Sequence, residues 1–140
     1  SLSMDLYAEN VLEHYRHPRK QAPLSQKDVE HREVNPVCGD ELTLQLKIDN
    51  GKITDIGWSG TGCAISQASM SLLAEDLAGK SVEDLEKLSK DDIYTLLGVP
   101  IGPRRFKCAL LGLHTLKNAL RKLENKEPQG WLDTVELTEN

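Results

Sequence analysis

Glu41-Leu42-Thr43-Leu44-Gln45-Leu46-Lys47-Ile48-Asp49-Asn50-Gly51-Lys52-Ile53-Thr54-Asp55-Ile56-Gly57-Trp58-Ser59 is the stretch whose reading settles the fold class. Leu42, Leu44, Leu46 and Ile48 alternate with polar residues, the period-two pattern of a half-buried strand. Asp49-Asn50-Gly51 is a turn signal, because Asn and Gly tolerate positive φ. Lys52 to Ser59 carries Ile53, Ile56 and Trp58 and reads as the return strand of an antiparallel hairpin.

Outward from the hairpin the pattern changes to helical spacing. Upstream, Tyr7, Val11 and Tyr15 predict an amphipathic helix from about Asp5 to His17, ended by Pro18. A loop over 19–25 follows, then a weak strand near Val29 to Val34. Downstream, Gly60-Thr61-Gly62 breaks the return strand, and Ala64 to Ala78 reads as a helix with Gly79 as its stop. Ser81-Val82-Glu83-Asp84 and Ser89-Lys90-Asp91-Asp92 resemble capping boxes opening two short helices that end before Gly98. A proline-bearing loop over 99–103 leads to a long helix from about Arg105 to Glu124, with Leu110, Leu113, Leu116, Leu120 and Leu123 on one side. The tail over 125–140 is unassigned, and its apolar residues beyond Pro128 are Trp131, Leu132, Val135 and Leu137. Strands followed by helices, without βαβ alternation, predict an α+β domain: a small antiparallel sheet with helices packed on one face. Residues 1–140 read as one such domain, with Ser1-Leu2-Ser3 ahead of Met4 set aside as a cloning remnant.

At 140 residues the chain can hold a core without disulfides or a metal, so a bound metal points to function. A formal charge of −5, from 17 basic and 22 acidic residues, argues against nucleic-acid or anionic-membrane partners. The 4% aromatic content gives no stacking platform for single strands. No apolar run has the length of a membrane span, no signal peptide is visible, and three cysteines make a poor disulfide framework. The expectation is a cytoplasmic protein with reduced thiols.

Those thiols carry the chemistry. With the turn centred near Asn50, residues whose numbers sum to about 100 face each other; Cys38 and Cys63 sum to 101 and should meet at the open end of the hairpin. Cys38 lies in the turn-rich Asn35-Pro36-Val37-Cys38-Gly39-Asp40, and Cys63 follows Gly60-Thr61-Gly62 and begins a helix. Core cysteines sit inside apolar runs, and these two do not. Cys63 and Cys108 each open a helix, where the dipole favours a thiolate, and Arg104, Arg105 and Lys107 beside Cys108 should lower its pKa further. Asp40, two residues from Cys38, shares its face if the segment is extended. Alone it would read as a turn residue; beside three thiols it reads as a carboxylate ligand. Cys38, Asp40, Cys63 and Cys108 then make a four-ligand site suited to Zn²⁺ or to iron–sulfur chemistry. Gly60-x-Gly62 lacks the remaining residues of a phosphate cradle. No histidine has ligand spacing or stands as a base for a cysteine hydrolase.

Four segments together resemble the IscU/SufU/NifU N-terminal family of iron–sulfur cluster assembly scaffolds: Glu13-His14-Tyr15-x-x-Pro18-Arg19, Asn35-Pro36-x-Cys38-Gly39-Asp40, Gly60-x-Gly62-Cys63-Ala64-Ile65-Ser66 and Arg105-x-Lys107-Cys108-Ala109. The resemblance runs from about Leu6 to Leu123. It implies a site exposed at one end of the fold. Cys38, Cys63 and Cys108 are then ligands of a transient [2Fe–2S] cluster, Fe²⁺ or Zn²⁺, with Asp40 as the labile fourth. It also implies a cysteine desulfurase as sulfur donor and apo iron–sulfur proteins as recipients. The protein is then a scaffold rather than an enzyme, the alternative being a zinc-dependent sulfurtransferase of SufU type. The persulfide acceptor is Cys38 by resemblance to SufU and Cys108 by resemblance to IscU, and Arg105 matches a SufU arginine linked to desulfurase engagement. The motifs are SufU-like, while the SufU insertion between the second and third cysteine motifs is missing. Lys107 stands where IscU-type members have His, and Val99-Pro100-Ile101-Gly102-Pro103 replaces their chaperone motif, so no chaperone partner is implied.

Overall fold

Strands β1 (Val29–Asn35), β2 (Asp40–Asp49) and β3 (Lys52–Thr61) form an antiparallel sheet in that order, in a computed structural model that describes residues 2–136. The hairpin turn is Asn50-Gly51, both at positive φ (50° and 74°), the geometry that matches strand twist. One bulge interrupts the ladder: Ile48 faces Ile53, whereas Lys47 faces Asp55, leaving Thr54 unpaired. The extra residue changes the phase of β3, which is why Ile53 and then Ile56 and Trp58 all point into the core. Beyond the bulge Leu42 pairs with Gly60 and Glu41 with Thr61, so the register lies two residues from the one expected from the turn. One residue comes from the turn centre between Asn50 and Gly51, the other from the bulge.

Gly60 and Thr61 do not break the strand; they are its last ladder pairs. A Cβ at Gly60 would come within 2.4 Å of Leu42 Cδ2, so this glycine permits close packing. The break comes at Gly62.

Six helices complete the described residues: α1 (Leu2–Arg16), α2 (Ala64–Leu77), α3 (Val82–Glu86), α4 (Lys90–Leu97), α5 (Phe106–Leu123) and α6 (Trp131–Glu136). Helix α5 lies across β1 and β2, α2 packs on β3 and on α5, and α1 covers α2. The core joins Leu42, Leu44, Leu46 and Trp58 of the sheet to residues of α2 and α5 such as Met70, Leu73, Leu110 and Leu113. Each such side chain contributes about 1.5–3 kcal/mol by leaving water. The Ser81 hydroxyl accepts from the Asp84 N–H at 3.0 Å, and the Asp92 carboxylate accepts from the Ser89 N–H at 2.9 Å, as the two capping sequences predict.

Three features differ from the sequence reading. Helix α1 begins at Leu2, inside the segment set aside as a remnant. Helix α5 is buried all round from Cys108 to Leu120, because the sheet, α2, α3, α4 and α6 surround it. The unassigned tail forms α6, whose Trp131 stacks on His114 at 4.1 Å between ring centres; Leu137 lies outside the described residues.

Beneath α6 is a polar joint. His114 shares a hydrogen bond with Thr134 Oγ1 (2.6 Å), and Asn118 Nδ2 donates to Glu33 (2.8 Å), which also meets His31 (2.6 Å). Burial lowers the His114 pKa. This histidine serves packing between α5, β1 and α6. The Glu13–Arg19 motif is likewise structural. The Ser71 hydroxyl accepts from the Arg19 N–H (2.8 Å) and shares a hydrogen bond with His14 Nδ1 (2.7 Å), while the Arg19 carbonyl accepts from the Trp58 indole (2.7 Å).

Candidate metal and sulfur site

The turn between β1 and β2 presents Cys38. Asn35 closes it twice: its carbonyl accepts from the Gly39 N–H (2.8 Å) and its Oδ1 from the Val37 N–H (3.2 Å). Cys38 is exposed on this turn. The segment is therefore not extended, and Cys38 and Asp40 are brought together by the turn rather than by a shared strand face. Asp40 opens β2 in phase with Leu42, Leu44 and Leu46, so its carboxylate enters the core side of the sheet at 2% exposure.

A carboxylate there needs partners. Oδ1 accepts from the Cys63 N–H at 3.0 Å, whereas Oδ2 is buried without a hydrogen-bond partner. Gly62 (φ 153°) makes the first contact possible: a Cβ at this position would lie 2.4 Å from Oδ1 and 2.8 Å from Ser66 Oγ. Cys63, half-buried, is the N-cap residue of α2, and its carbonyl accepts from the Ser66 hydroxyl at 3.0 Å.

Cys108 arrives from the first turn of α5 and is 1% exposed. Its thiol donates to Cys38 Sγ at 3.6 Å and accepts from Asn35 Nδ2 at 3.7 Å. The basic sequence neighbours do not lower its pKa. Burial, then the neighbouring Asp40, Cys38 and Cys63 groups, push it up strongly. Arg104 and Arg105 are exposed to water, and the Lys107 ammonium lies 5.9 Å from the centre of the Trp131 ring.

Cys38, Asp40 and Cys108 offer donor atoms all within 4.8 Å of one another. The Cys63 thiol lies close enough to raise the Cys108 pKa but stands outside that group of three. The donors fit a thiophilic cation. Tetrahedral Zn²⁺ with metal–sulfur bonds of about 2.3 Å sets its sulfurs roughly 3.8 Å apart, and Cys38 Sγ and Cys108 Sγ are 3.6 Å apart. The orphaned Asp40 Oδ2 is a buried acceptor at the same place. Beside Cys38 a shallow, mostly apolar cavity of about 390 Å³ opens between Val37, Pro103 and Phe106, with Arg104 and Lys107 at its rim. Sequence reasoning found Asn35 only as a turn former; its contact with Cys108 spans 73 residues and leaves no local signal.

The NifU-like N terminal domain family matches residues 6–129. The iron-sulfur cluster assembly enzyme IscU of Drosophila melanogaster is 39% identical over 131 residues, covering 91% of this chain and 84% of its own length. The zinc-dependent sulfurtransferase SufU of Bacillus subtilis (strain 168) is 32% identical over 136 residues, covering 85% and 92%. Among solved structures, the putative iron-sulfur cluster assembly scaffold protein for the SUF system from Fervidobacterium islandicum AW-1 superposes with a TM-score of 0.73 at 28% identity, over 84% of this chain and 98% of that one. With the family's match running from α1 to beyond α5 and taking in all three cysteine segments, the chain belongs to the NifU-like N terminal domain family.

Proposed function

We propose that this protein is an iron–sulfur cluster assembly scaffold, with Cys38, Asp40, Cys63 and Cys108 as the ligands of its cargo. The observation that carries this reading is the convergence of Cys38, Asp40 and Cys108 around a buried carboxylate oxygen without a partner. A core of this size has no need of such an atom, whereas a cation beside it would satisfy it. Cys63 stands beside this centre at the N-cap position of α2, near enough to Cys108 to raise its pKa.

Sulfur arrives at Cys38, the exposed thiol. Its thiolate attacks the outer sulfur of a desulfurase persulfide; the new S–S bond forms as the donor's S–S bond breaks, and the donor leaves as a thiolate. A two-electron reductant from outside then frees the sulfide for iron held by the thiolates. The apolar cavity beside Cys38 suits the segment that carries the donor persulfide, and exposed Arg105 suits contact with the desulfurase body. The finished cluster passes to apoproteins. Asp40 aids that release, because a hard oxygen holds a thiophilic cluster less firmly than a fourth thiolate.

The exposure of Cys38 also favours a second reading, a zinc-dependent sulfurtransferase in which Zn²⁺ stays and only sulfur moves. Among the described residues no helix is long and apolar enough to cross a membrane. The deciding experiment is anaerobic: metal-free protein with Fe²⁺, cysteine and a cysteine desulfurase, followed by visible absorbance and metal analysis. Growth of a thiolate-ligated cluster spectrum with equal iron and sulfide supports the scaffold. Tightly retained zinc, a faster desulfurase and no cluster would replace it with the sulfurtransferase.

A further inference from the structure

Asn35 is 1% exposed and sits between the turn that presents Cys38 and the sulfur of Cys108. Its backbone carbonyl and Oδ1 hold the turn that presents Cys38, and its Nδ2 reaches Cys108 Sγ at 3.7 Å. The orientation of the amide follows from the network. Oδ1 must face the Val37 N–H, a donor, so Nδ2 must face the sulfur. A buried N–H has no water to turn to, and the sulfur is the hydrogen-bond partner it reaches in this structure. An amide donor is a modest partner for a neutral thiol and a much better one for a sulfur carrying negative charge.

We propose that Asn35 is a positioning residue of the site: its side-chain N–H donates to the Cys108 sulfur and holds that sulfur, as a thiolate, on the bound metal or cluster. The inference rests on the ligand reading above and deepens it. One residue thereby sets two sulfurs 70 positions apart in sequence, Cys38 through the turn and Cys108 through the amide, at a 3.6 Å separation close to the roughly 3.8 Å between two sulfurs on a tetrahedral cation. Donors in this outer position orient a ligand and tune its electronics, and their loss commonly weakens metal binding 10- to 100-fold.

Asn35→Asp separates this role from the turn. The carboxylate keeps an acceptor for the Val37 N–H but offers the sulfur an oxygen in place of a donor. Metal-free wild type and Asn35→Asp are titrated with Co²⁺, following the thiolate-to-cobalt charge-transfer band, and Zn²⁺ affinity is taken by competition. The expected result is a thermal midpoint of the metal-free protein lowered by the newly buried carboxylate, a shifted band, and Zn²⁺ bound about tenfold more weakly or worse in the variant. Equal affinity and an unshifted band overturn the proposal. Should Asn35→Asp unfold, wild type alone decides. In ¹¹³Cd-loaded protein one Asn35 Nδ2 proton shows scalar coupling to the metal through the N–H···S bond, and its absence overturns the proposal. A wild type that gives no thiolate charge-transfer band would instead overturn the ligand reading itself, a separate outcome that does not involve the variant.

Discussion

Substituting Gly62 by alanine tests the most constrained contact of the site. Gly62 has φ 153°, and the added Cβ would lie 2.4 Å from Asp40 Oδ1 and 2.8 Å from both Asp40 Cγ and Ser66 Oγ. Holding a non-glycine residue in that backbone region costs on the order of 1–3 kcal/mol. Displacing the carboxylate also breaks its bond from the Cys63 N–H, worth about 1.5–3 kcal/mol for a charged acceptor. The metal-free protein should therefore lose about 2.5–6 kcal/mol of a total that is commonly about 5–15 kcal/mol, read by urea unfolding with far-UV circular dichroism. Asp40→Ala removes the same hydrogen bond and relieves the orphaned Oδ2. In the double variant the bond is lost once, not twice, so the two changes should fall short of additivity by about 1.5–3 kcal/mol. Additivity within about 0.5 kcal/mol would refute the claim that Gly62 acts through the Asp40 carboxylate.

Other outcomes are as specific. Asp40→Ala should carry a longer-lived cluster than wild type, seen as slower decay of visible absorbance; equal lifetimes would remove Asp40 from the release step. In metal-free protein, iodoacetamide should label exposed Cys38 before buried Cys108 by roughly tenfold or more, and mass spectrometry showing Cys108 first would contradict the assignment of Cys38 as sulfur acceptor. Lys117, buried in α5 with its ammonium donating to the Leu85 and Glu86 carbonyls, has its pKa lowered by burial to about 8. The folded state thus gives up that proton before the unfolded state does. Stability relative to Lys117→Met should rise by about 3 kcal/mol as pH climbs from about 8 to 10.5, and be level below about 8. Parallel pH profiles of urea stability for the two proteins would show that Lys117 is not a desolvated amine.

The hairpin was legible because Leu42, Leu44, Leu46 and Ile48 state their phase in local sequence. Strand β1 was faint for a physical reason. Its inward residues include His31 and Glu33, which are satisfied by one another, His114 and Asn118 rather than by apolar packing. The bulge could be suspected from the parity change between Ile53 and Ile56, yet its position is fixed only by the ladder. Helix α6 carries too few apolar residues to show a period and forms where Trp131 finds His114. At the site, the motif spacing marked every cysteine and Asp40. The pKa of Cys108 is not legible there, because burial and the distant Asp40, Cys38 and Cys63 set it rather than the basic residues beside it in sequence.

The donors near Cys108 come from the β1–β2 turn and from the start of α5, and the Cys38–Cys108 contact joins residues 70 apart. A chain emerging from the ribosome in order therefore exposes Cys38 and Cys63 well before the third thiol exists outside the exit tunnel. Two thiols with a carboxylate are a weaker trap for a thiophilic ion than the complete set. On the ligand reading proposed above, the last donor sits on the last long helix, so loading would wait for synthesis and for the docking of α5 across the sheet. A truncated or half-folded chain would then be a poor receptacle, and the order of the proposed ligands along the polypeptide would itself delay loading until the fold is complete.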